Sequence, residues 1–202
     1  MRSGAPSSGA TEDGDRLARA KAARAFSCVF GALVAVAVYA HALQKLLDHD
    51  EHQFIASAAL IAREGLVPYR DFPYYHLPYL SYLYAGAFLV ADRLLASARV
   101  VAATAALGIA FLVWKRARAM LAGRSEIVAA AGAAAFVLAF VTNPLFLYTA
   151  GRAWNHDVAI LLALGATLAL DAVERSRRPK WTACAAAVLL GFTLGSTLNL
   201  RA

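Results

Sequence analysis

Charged residues are scarce in this sequence. Only 16% of its 202 residues are Asp, Glu, Lys or Arg, whereas 60% are hydrophobic. A soluble domain has about a quarter charged and about half apolar residues, so the composition argues against one. The hydrophobic residues are gathered into runs, which indicates a polytopic membrane protein. At ~20 residues per span, the length allows roughly five or six spans and little else.

Cysteine is also rare, and several motifs are missing. Cys28 and Cys184 both fall inside apolar runs. This placement favours small lipid-facing or core-facing side chains over a disulfide or a metal-binding pair. The sequence has no Gly-rich phosphate loop, no Walker motif, no HExxH and no GxSxG, which argues against a soluble nucleotide-handling domain.

Acidic residues are outnumbered by basic ones, 13 to 20, which gives a net charge of +7. No basic stripe with interleaved aromatic residues is present, so we expect no nucleic-acid partner. The basic residues instead form short clusters between apolar runs, as cytoplasmic loops of membrane proteins do. These clusters are Arg16/Arg19/Lys21/Arg24, Lys115/Arg116/Arg118/Arg124 and Arg175/Arg177/Arg178/Lys180.

The expected fold is all-α, a polytopic transmembrane helical bundle in the cell membrane with a cytoplasmic N-terminus. Residues 1–24 are predicted to be a disordered cytoplasmic tail, because they are small, polar and charged. Residues 25–202 would form the transmembrane domain, with an outer loop at 48–76. The candidate spans are 25–47, 77–96, 98–114, 127–148, 157–173 and 181–199.

The region between the outer loop and the second basic cluster allows two interpretations. If that cluster is cytoplasmic, segments 77–96 and 98–114 must together cross the membrane an odd number of times. Asp92, Arg93 and Arg99 interrupt this region. Either 77–91 is a short or re-entrant piece, which we favour, or the cluster violates the positive-inside rule.

The outer loop 48–76 is polar, acidic and aromatic within an otherwise apolar chain. Charges cost several kcal/mol at bilayer depth, so such a segment at a membrane boundary predicts a functional site. The apolar spacing over Gln53–Arg63 predicts a short helix on the membrane surface, which Gly65 ends. The prolines that follow predict an extended, turning loop. The tyrosines of this region form either an interfacial aromatic belt or a wall for a sugar or lipid headgroup.

Three carboxylates, Asp48, Asp50 and Glu51, lie within four residues and alternate with His49 and His52. Mutual repulsion near a low-dielectric boundary predicts a raised pKa for at least one of them, which suits a general base. The alternative is an ordinary solvated loop after a span. The two histidines also permit a zinc or manganese site. Because that spacing is common by chance, we predict no cofactor and keep a divalent metal as a minor possibility.

A second polar constellation separates two later apolar runs. Asp157 opens a long apolar helix, where an unpaired carboxylate is costly unless it faces a cavity. The predicted topology puts it on the same face as Asp50, which favours a shared polar cavity. The alternative is a set of interface anchors with a helix cap. The constellation consists of Arg152, Trp154, Asn155, His156 and Asp157.

Taken together, these segments resemble the GT-C class of integral-membrane glycosyltransferases. Within that class they look like the family 39 relatives, which include protein mannosyltransferases and the lipid A aminoarabinose transferase. The similarity covers about residues 26–195, and the PYRDF block is its most specific part. The matching residues are Asp50-Glu51, Ala58 to Arg63, Gly65, Pro68 to Phe72, His76 to Pro78, AWNHD at 153–157 with the following LLALGATLAL, and RRPKW with the following LLGFTLG.

The resemblance implies a reaction and a set of site residues. The chain would be the N-terminal part of a longer fold that transfers a sugar from a polyprenyl-phosphate donor to a hydroxyl acceptor on the outer face. Asp50, with Glu51 beside it, would deprotonate or orient the acceptor hydroxyl, and Arg70 or Arg152 would neutralise the donor phosphate. The alternatives are a transporter-like protein and a non-catalytic structural membrane protein. The expected substrate-binding residues are Arg70, Asp71, His76, Arg152, Asn155, His156 and Asp157.

Overall fold

The computed structural model describes residues 8–175 and positions 181, 183–185, 187–188 and 191. Within this part the chain is all-α, as predicted, and its one β-type pairing is an isolated bridge between Pro68 and Phe72. The helices of the continuous part are α1 (Ser8–Gln44), α2 (His49–Glu64), α3 (Tyr79–Phe88), α4 (Leu94–Met120), α5 (Glu126–Val141), α6 (Pro144–Thr149) and α7 (His156–Arg175).

Two of the described helices are long and apolar enough to cross a membrane. They are the Asp13–Gln44 part of α1, which has 32 residues, and α4, which has 27. Helix α5 is apolar but has only 16 residues, fewer than the ~20 that a span needs. Most of the predicted last span, 181–199, lies outside the described residues.

The start of α1 differs from the predicted disordered tail. The helix begins at Ser8 and runs without interruption into the apolar segment, so residues 8–24 are helical. Alanine, arginine, lysine and leucine dominate the part just before the apolar run, and all four favour helix strongly. Low hydrophobicity alone therefore did not determine the conformation of this segment.

Helix α3 is too short to span a membrane. Its ten residues, Tyr79–Phe88, extend about 15 Å, half of the ~30 Å hydrocarbon thickness. The predicted span 77–96 is thus broken, and α4 starts at Leu94 instead. Near its start, Arg99 donates to the carbonyl of Lys45 just after α1. Helix α4 therefore begins at the end of the molecule where α1 finishes, as the favoured interpretation requires.

The predicted span 127–148 is also divided in two. Helix α5 ends at Val141, and Asn143 then caps α6 by accepting the Leu145 N–H at 2.9 Å. Pro144 occupies the first turn of α6, where its missing N–H costs nothing. The Asn-Pro pair is a helix-start signal that outweighs the continuing apolar composition.

Helix α4 forms the centre of the fold, since it packs against α1, α2, α3, α5 and α7. Its buried side is mostly alanine, for example Ala98, Ala102 and Ala106, each with no exposed surface. At Gly108 an added Cβ would lie 3.0 Å from the Leu161 side chain of α7. Small side chains thus allow the neighbouring helices to approach α4 closely.

Candidate functional site

Helix α2 begins with a capping box. The Asp48 Oδ1 atom accepts the Asp50 N–H at 3.2 Å, and Glu51 Oε2 accepts the Asp48 N–H at 3.0 Å. This reciprocal pattern satisfies N–H groups that the first helical turn leaves open. The helix ends at Gly65 in a left-handed conformation with φ +66°, which confirms the predicted role of this glycine. The three clustered carboxylates are therefore held in or beside the first turn of α2.

Glu51 is fully buried and paired with Arg99 of α4. The guanidinium donates from Nε to Oε1 at 2.9 Å and from Nη2 to Oε2 at 2.6 Å. Oε1 also accepts the Ala153 N–H at 2.8 Å from the loop before α7. One carboxylate thus joins the start of α2, the start of α4 and that loop.

Arg99 also connects this hydrogen-bonded cluster to the end of α1. Its Nη1 donates to the Lys45 carbonyl at 2.7 Å, and its Nη2 donates to the Leu46 carbonyl at 3.0 Å. A longer bond of 3.3 Å reaches the carbonyl of Ala42. Carbonyls at a helix end lack intrahelical donors, so a guanidinium there satisfies them and opposes the negative end of the helix dipole.

The hydrogen bonds around Glu51 decide its charge. Burial alone would raise its pKa, but the hydrogen bonds from Arg99 and from the Ala153 and Asp48 N–H groups outweigh burial and lower the pKa. The raised pKa predicted for the acidic cluster is therefore not found at Glu51. A buried, ionised carboxylate that accepts several donors is better placed to hold the site in shape than to remove a proton.

Asp50 lies at the surface of the same turn. Its side chain is 49% exposed, and Oδ1 lies 3.1 Å from His49 Nε2. His49 Nδ1 lies 3.3 Å from Asp48 Oδ1, so the imidazole bridges the two carboxylates. Of the predicted catalytic pair, Asp50 is thus the member that is exposed to solvent.

The two carboxylates and His49 also resemble a ligand set for a divalent metal. One ligand atom from each residue lies within 4.8 Å of the others. Asp48, however, already accepts the Asp50 N–H with Oδ1 and an Arg152 guanidinium N–H with Oδ2. A metal would have to displace these bonds, and His52 is not part of the set. The predicted His49–His52 metal pair therefore gains no support.

Arg152 connects the second constellation to the first. Its Nη1 donates to Asp48 Oδ2 at 3.1 Å, and its Nε donates to the Tyr148 carbonyl at 3.0 Å. The guanidinium carbon lies 5.0 Å from the Tyr148 ring centre and 5.2 Å from the Trp154 ring centre. Arg152 is thus fixed next to the acidic turn of α2.

Asp157 is buried at the start of α7, with 3% of its surface exposed. Its Oδ2 accepts the Gly151 N–H at 2.7 Å, so the carboxylate faces the interior, as predicted. The neighbouring His156 ring lies 5.1 Å from the Trp154 ring, and the Asn155 carbonyl accepts the Ala159 N–H of α7. Together with the bonds from Ala153 and Arg152, this places residues 151–157 beside Asp48–Glu51.

Arg70 and Asp71 form a local turn instead. Arg70 donates to Asp71 through Nε at 2.9 Å and Nη2 at 2.8 Å, and Asp71 Oδ2 accepts the Val67 N–H. The hydrogen bond from Arg70 is the main cause that lowers the pKa of Asp71 to about 2. Among the described contacts, none joins this pair to Asp50 or Glu51. The PYRDF block thus builds its own turn.

His76 lies closer to the acidic helix. Its ring is 5.0 Å from the Phe54 ring, one turn after Asp50 on α2. Tyr69 donates its hydroxyl proton to the His76 carbonyl, and this tyrosine has a left-handed φ of 66°. Such a conformation is strained by about 1–3 kcal/mol in a non-glycine residue, so the surrounding turn must hold it.

Sequence reasoning placed Asp48 in the acidic cluster but missed Arg99 and Lys45 as parts of the site. The Asp48-x-x-Glu51 spacing is a capping-box signal. Arg99 lies within an apolar run, where an arginine requires a buried acidic partner. That signal could have identified Arg99 as part of the site. Lys45 donates to the Ala150 carbonyl at 2.7 Å, and burial lowers its pKa to about 8. No local pattern identified its partners, because they lie about a hundred residues later in the chain.

Comparison of the chain with protein-family models, with curated proteins and with solved structures finds no match in any of the three.

Proposed function

We propose that this chain is a GT-C-like membrane glycosyltransferase, or the N-terminal part of one, that uses a polyprenyl-phosphate sugar. The observation that carries the proposal is the position of Asp50. Its half-exposed carboxylate lies near the end of α1 and the start of α4, the two membrane-length helices, on a turn that the Glu51–Arg99 ion pair holds in place. Preorganised carboxylates at such boundaries suit proton removal from a hydroxyl acceptor.

In this proposal the two adjacent acids have different roles. Asp50 accepts the proton of the acceptor hydroxyl, because its carboxylate is accessible. Glu51 is a positioning residue, since Arg99 and two backbone N–H groups occupy its oxygens. Displacement of the phosphate by the activated hydroxyl would then invert the sugar carbon.

Arg152 is a better candidate than Arg70 for the donor phosphate. Arg152 is 3.1 Å from Asp48 and so adjoins the turn that carries Asp50. Arg70 is engaged by Asp71 through two hydrogen bonds within its own turn. A guanidinium presents donors on two edges, so it can contact a carboxylate and a phosphate at once.

The proposal includes a multi-span arrangement in the cell membrane. Helices α1 and α4 cross the bilayer, and α5 and α7 cross with them to complete a bundle with a cytoplasmic N-terminus. Helices α2 and α3 lie at the outer boundary. The antiparallel order of α1 and α4 and the basic residues at 115–124 support this orientation.

A transporter is less well supported. Among the described residues, the buried charged side chains are Glu51, Arg99 and Asp157. All three lie at the same end of the helices, where Glu51 pairs with Arg99 and Asp157 accepts a backbone N–H. A transport path needs polar groups deeper in the membrane.

The test asks whether membranes that contain the chain consume a polyprenyl-phosphate sugar faster than membranes without it. Membranes that contain the chain are incubated with polyprenyl-phosphate sugars that differ in the hexose or pentose, and the release of polyprenyl phosphate is measured. Membranes without the chain provide the background. Release above background with at least one sugar is expected, and no release with any sugar would contradict catalysis by this chain.

A further inference from the structure

An open groove of about 400 Å³ runs along one face of α1, between this helix and α4. Its α1 side includes Ser27, Gly31 and Ala35, which are four positions apart and so share one face of the helix. A Cβ added at Gly31 would meet nothing within 4 Å, so no described residue fills the space beside it. The facing wall is apolar and includes Leu107 and Phe111 of α4. Small side chains on α1 thus leave an apolar recess between two membrane-length helices.

The length of the groove matches one leaflet of a bilayer. The lining residues Ser27 to Ala35 extend about 12 Å along α1 at 1.5 Å per residue, and one leaflet provides about 15 Å of hydrocarbon. Trp114, near the end of α4, lines the groove at its Ser27 end and stacks on Phe30 with ring centres 5.8 Å apart. Tryptophan is enriched at the membrane–water interface, so this end of the groove opens where lipid headgroups lie.

Three exposed basic side chains surround this open end. Arg24 is three residues before the lining Ser27, so it projects from the same face of α1 one turn further out. Lys21 lies one turn beyond Arg24 on that face. On α4, the Lys115 Nζ atom lies 5.9 Å from the ring centre of Phe111, which lines the groove. Long basic side chains at such positions keep their stems on apolar surface and their charges at the interface.

The carboxylates at this end do not neutralise these three cations. Among the described residues, two of the four already accept from arginines of α4, at 2.6 and 3.5 Å. They are Glu126, with Arg118, and Asp171, with Arg116. The other two, Asp13 and Asp15, precede Lys21 by at least six residues, or about 9 Å along α1. The open end of the groove therefore carries an excess of positive charge, which favours an anionic occupant.

We propose that the α1–α4 groove binds one acyl chain of an anionic phospholipid, whose headgroup Lys21, Arg24 and Lys115 bind. Basic pockets between membrane-crossing helices bind anionic lipid headgroups in this way. A second copy of the chain fits less well, because it would bring the same cations to the groove. The apolar residues 182–200 contain no acidic side chain that could neutralise them. The site lies at the opposite end of α4 from Arg99 and takes no part in the proposed reaction.

The test compares two phospholipids that differ in net charge and share their acyl chains. Binding of dioleoyl phosphatidylglycerol and of dioleoyl phosphatidylcholine to the full chain in detergent is measured by native mass spectrometry. The parent chain should bind phosphatidylglycerol at least about tenfold more tightly, because each basic side chain near an anionic lipid contributes about a factor of five. Inorganic phosphate at equal concentration should not displace the lipid, since it leaves the apolar groove empty.

A double substitution tests the headgroup contacts. Arg24→Gln/Lys115→Gln removes two of the three cations at the open end, and it should weaken phosphatidylglycerol binding about tenfold without changing phosphatidylcholine binding. Arg16→Gln/Arg19→Gln is the matched control, because it removes the same charge from exposed positions on α1 further from the groove. The control should keep the parental preference for phosphatidylglycerol.

A single substitution tests the acyl-chain contact. Gly31→Leu places a side chain in the open space of the groove, so it should abolish the binding of both phospholipids. Ala32→Leu is the matched control, since Ala32 is the next residue of α1, is exposed and does not line the groove. Leucine favours helix at least as well as glycine does, so neither change should unfold α1, and circular dichroism verifies this.

Other results would overturn the site. Equal binding of the two phospholipids, or equal losses in the two double variants, would show that these cations do not select the lipid. Parental binding in Gly31→Leu would place the lipid elsewhere, and displacement by inorganic phosphate would assign the cations to a free anion. A dimer that Gly31→Leu dissociates would assign the groove to a second copy. The assay needs no sugar or turnover, so an inactive chain that prefers phosphatidylglycerol would contradict the proposed function and not this site.

Discussion

Arg99 and Glu51 form a doubly hydrogen-bonded ion pair that is almost completely buried, with side-chain exposures of 2% and 0%. The pair joins α4 to α2, and through Arg99 it also reaches the carbonyls that follow α1. Such a pair stabilises a fold only while both members are present, because either charge alone would be buried without compensation. The shape of the acidic turn therefore depends on both residues.

Replacing Arg99 by methionine should destabilise the protein strongly. The change leaves Glu51 buried and unpaired, which costs about 3–5 kcal/mol. Thermal unfolding in detergent, followed by circular dichroism, measures the loss. The double variant Glu51→Met/Arg99→Met should recover most of it, and Arg93→Met at an exposed position is the control. If Arg99→Met were as stable as the control, the Arg99–Glu51 ion pair would not stabilise the fold as described.

Acid should weaken the contribution of this pair. Because the pKa of Glu51 is lowered in the folded protein, its stabilising effect is present above the unfolded value of about 4.3. It is lost as the pH falls through the lower folded value. We expect the parent to lose stability between about pH 5 and pH 3 more steeply than the double methionine variant. Parallel pH curves for the two proteins would contradict the assignment.

Gly151 and Gly65 provide a matched test of packing at the site. Both have positive φ, 73° and 66°, but an added Cβ would lie 2.3 Å from the Ala42 side chain at Gly151 and would meet nothing within 4 Å at Gly65. Gly65→Ala should cost about 1 kcal/mol from backbone strain alone. Gly151→Ala should cost more and lower the melting temperature further. Equal losses would mean that the loop before α7 does not pack on α1 as described.

Because α3 is too short to cross the membrane, we predict that the residues before and after it lie on the same side. With Cys28 and Cys184 replaced, single cysteines at Ala56, Ala91 and Ala122 occupy exposed positions before α3, after α3 and after α4. An impermeant thiol reagent applied to intact cells should label positions 56 and 91 but not 122. Labelling all three after permeabilisation controls for reactivity. Opposite labelling of 56 and 91 would mean that α3 crosses the membrane.

The sequence predicts the local features of the fold well. Gly65 ends α2 because only a left-handed residue fits there, and Asp157 is buried because an apolar helix follows it. The break between α5 and α6 was missed because hydrophobicity continues across Asn143 and Pro144. Composition averages over a window, whereas a cap and a missing N–H act at one residue.

The site itself was only half predictable. The Asp48–Glu51 cluster and the residues around Arg152 are visible in the sequence as polar segments at apolar boundaries. The partner of Glu51 is Arg99, which is 48 positions away and on another helix. Only the three-dimensional packing shows that Glu51 is buried and Asp50 is exposed, although the two are neighbours in the chain.

The most direct test of the account is the turnover of Asp50→Asn with a polyprenyl-phosphate sugar that the parent chain uses. The amide keeps the shape of the side chain and cannot accept the proton, so the rate should fall by about 10²–10⁴-fold. Asp92→Asn, at an exposed carboxylate paired with Arg63, should keep the parental rate. A parental rate in Asp50→Asn would contradict the assignment of Asp50 as the base.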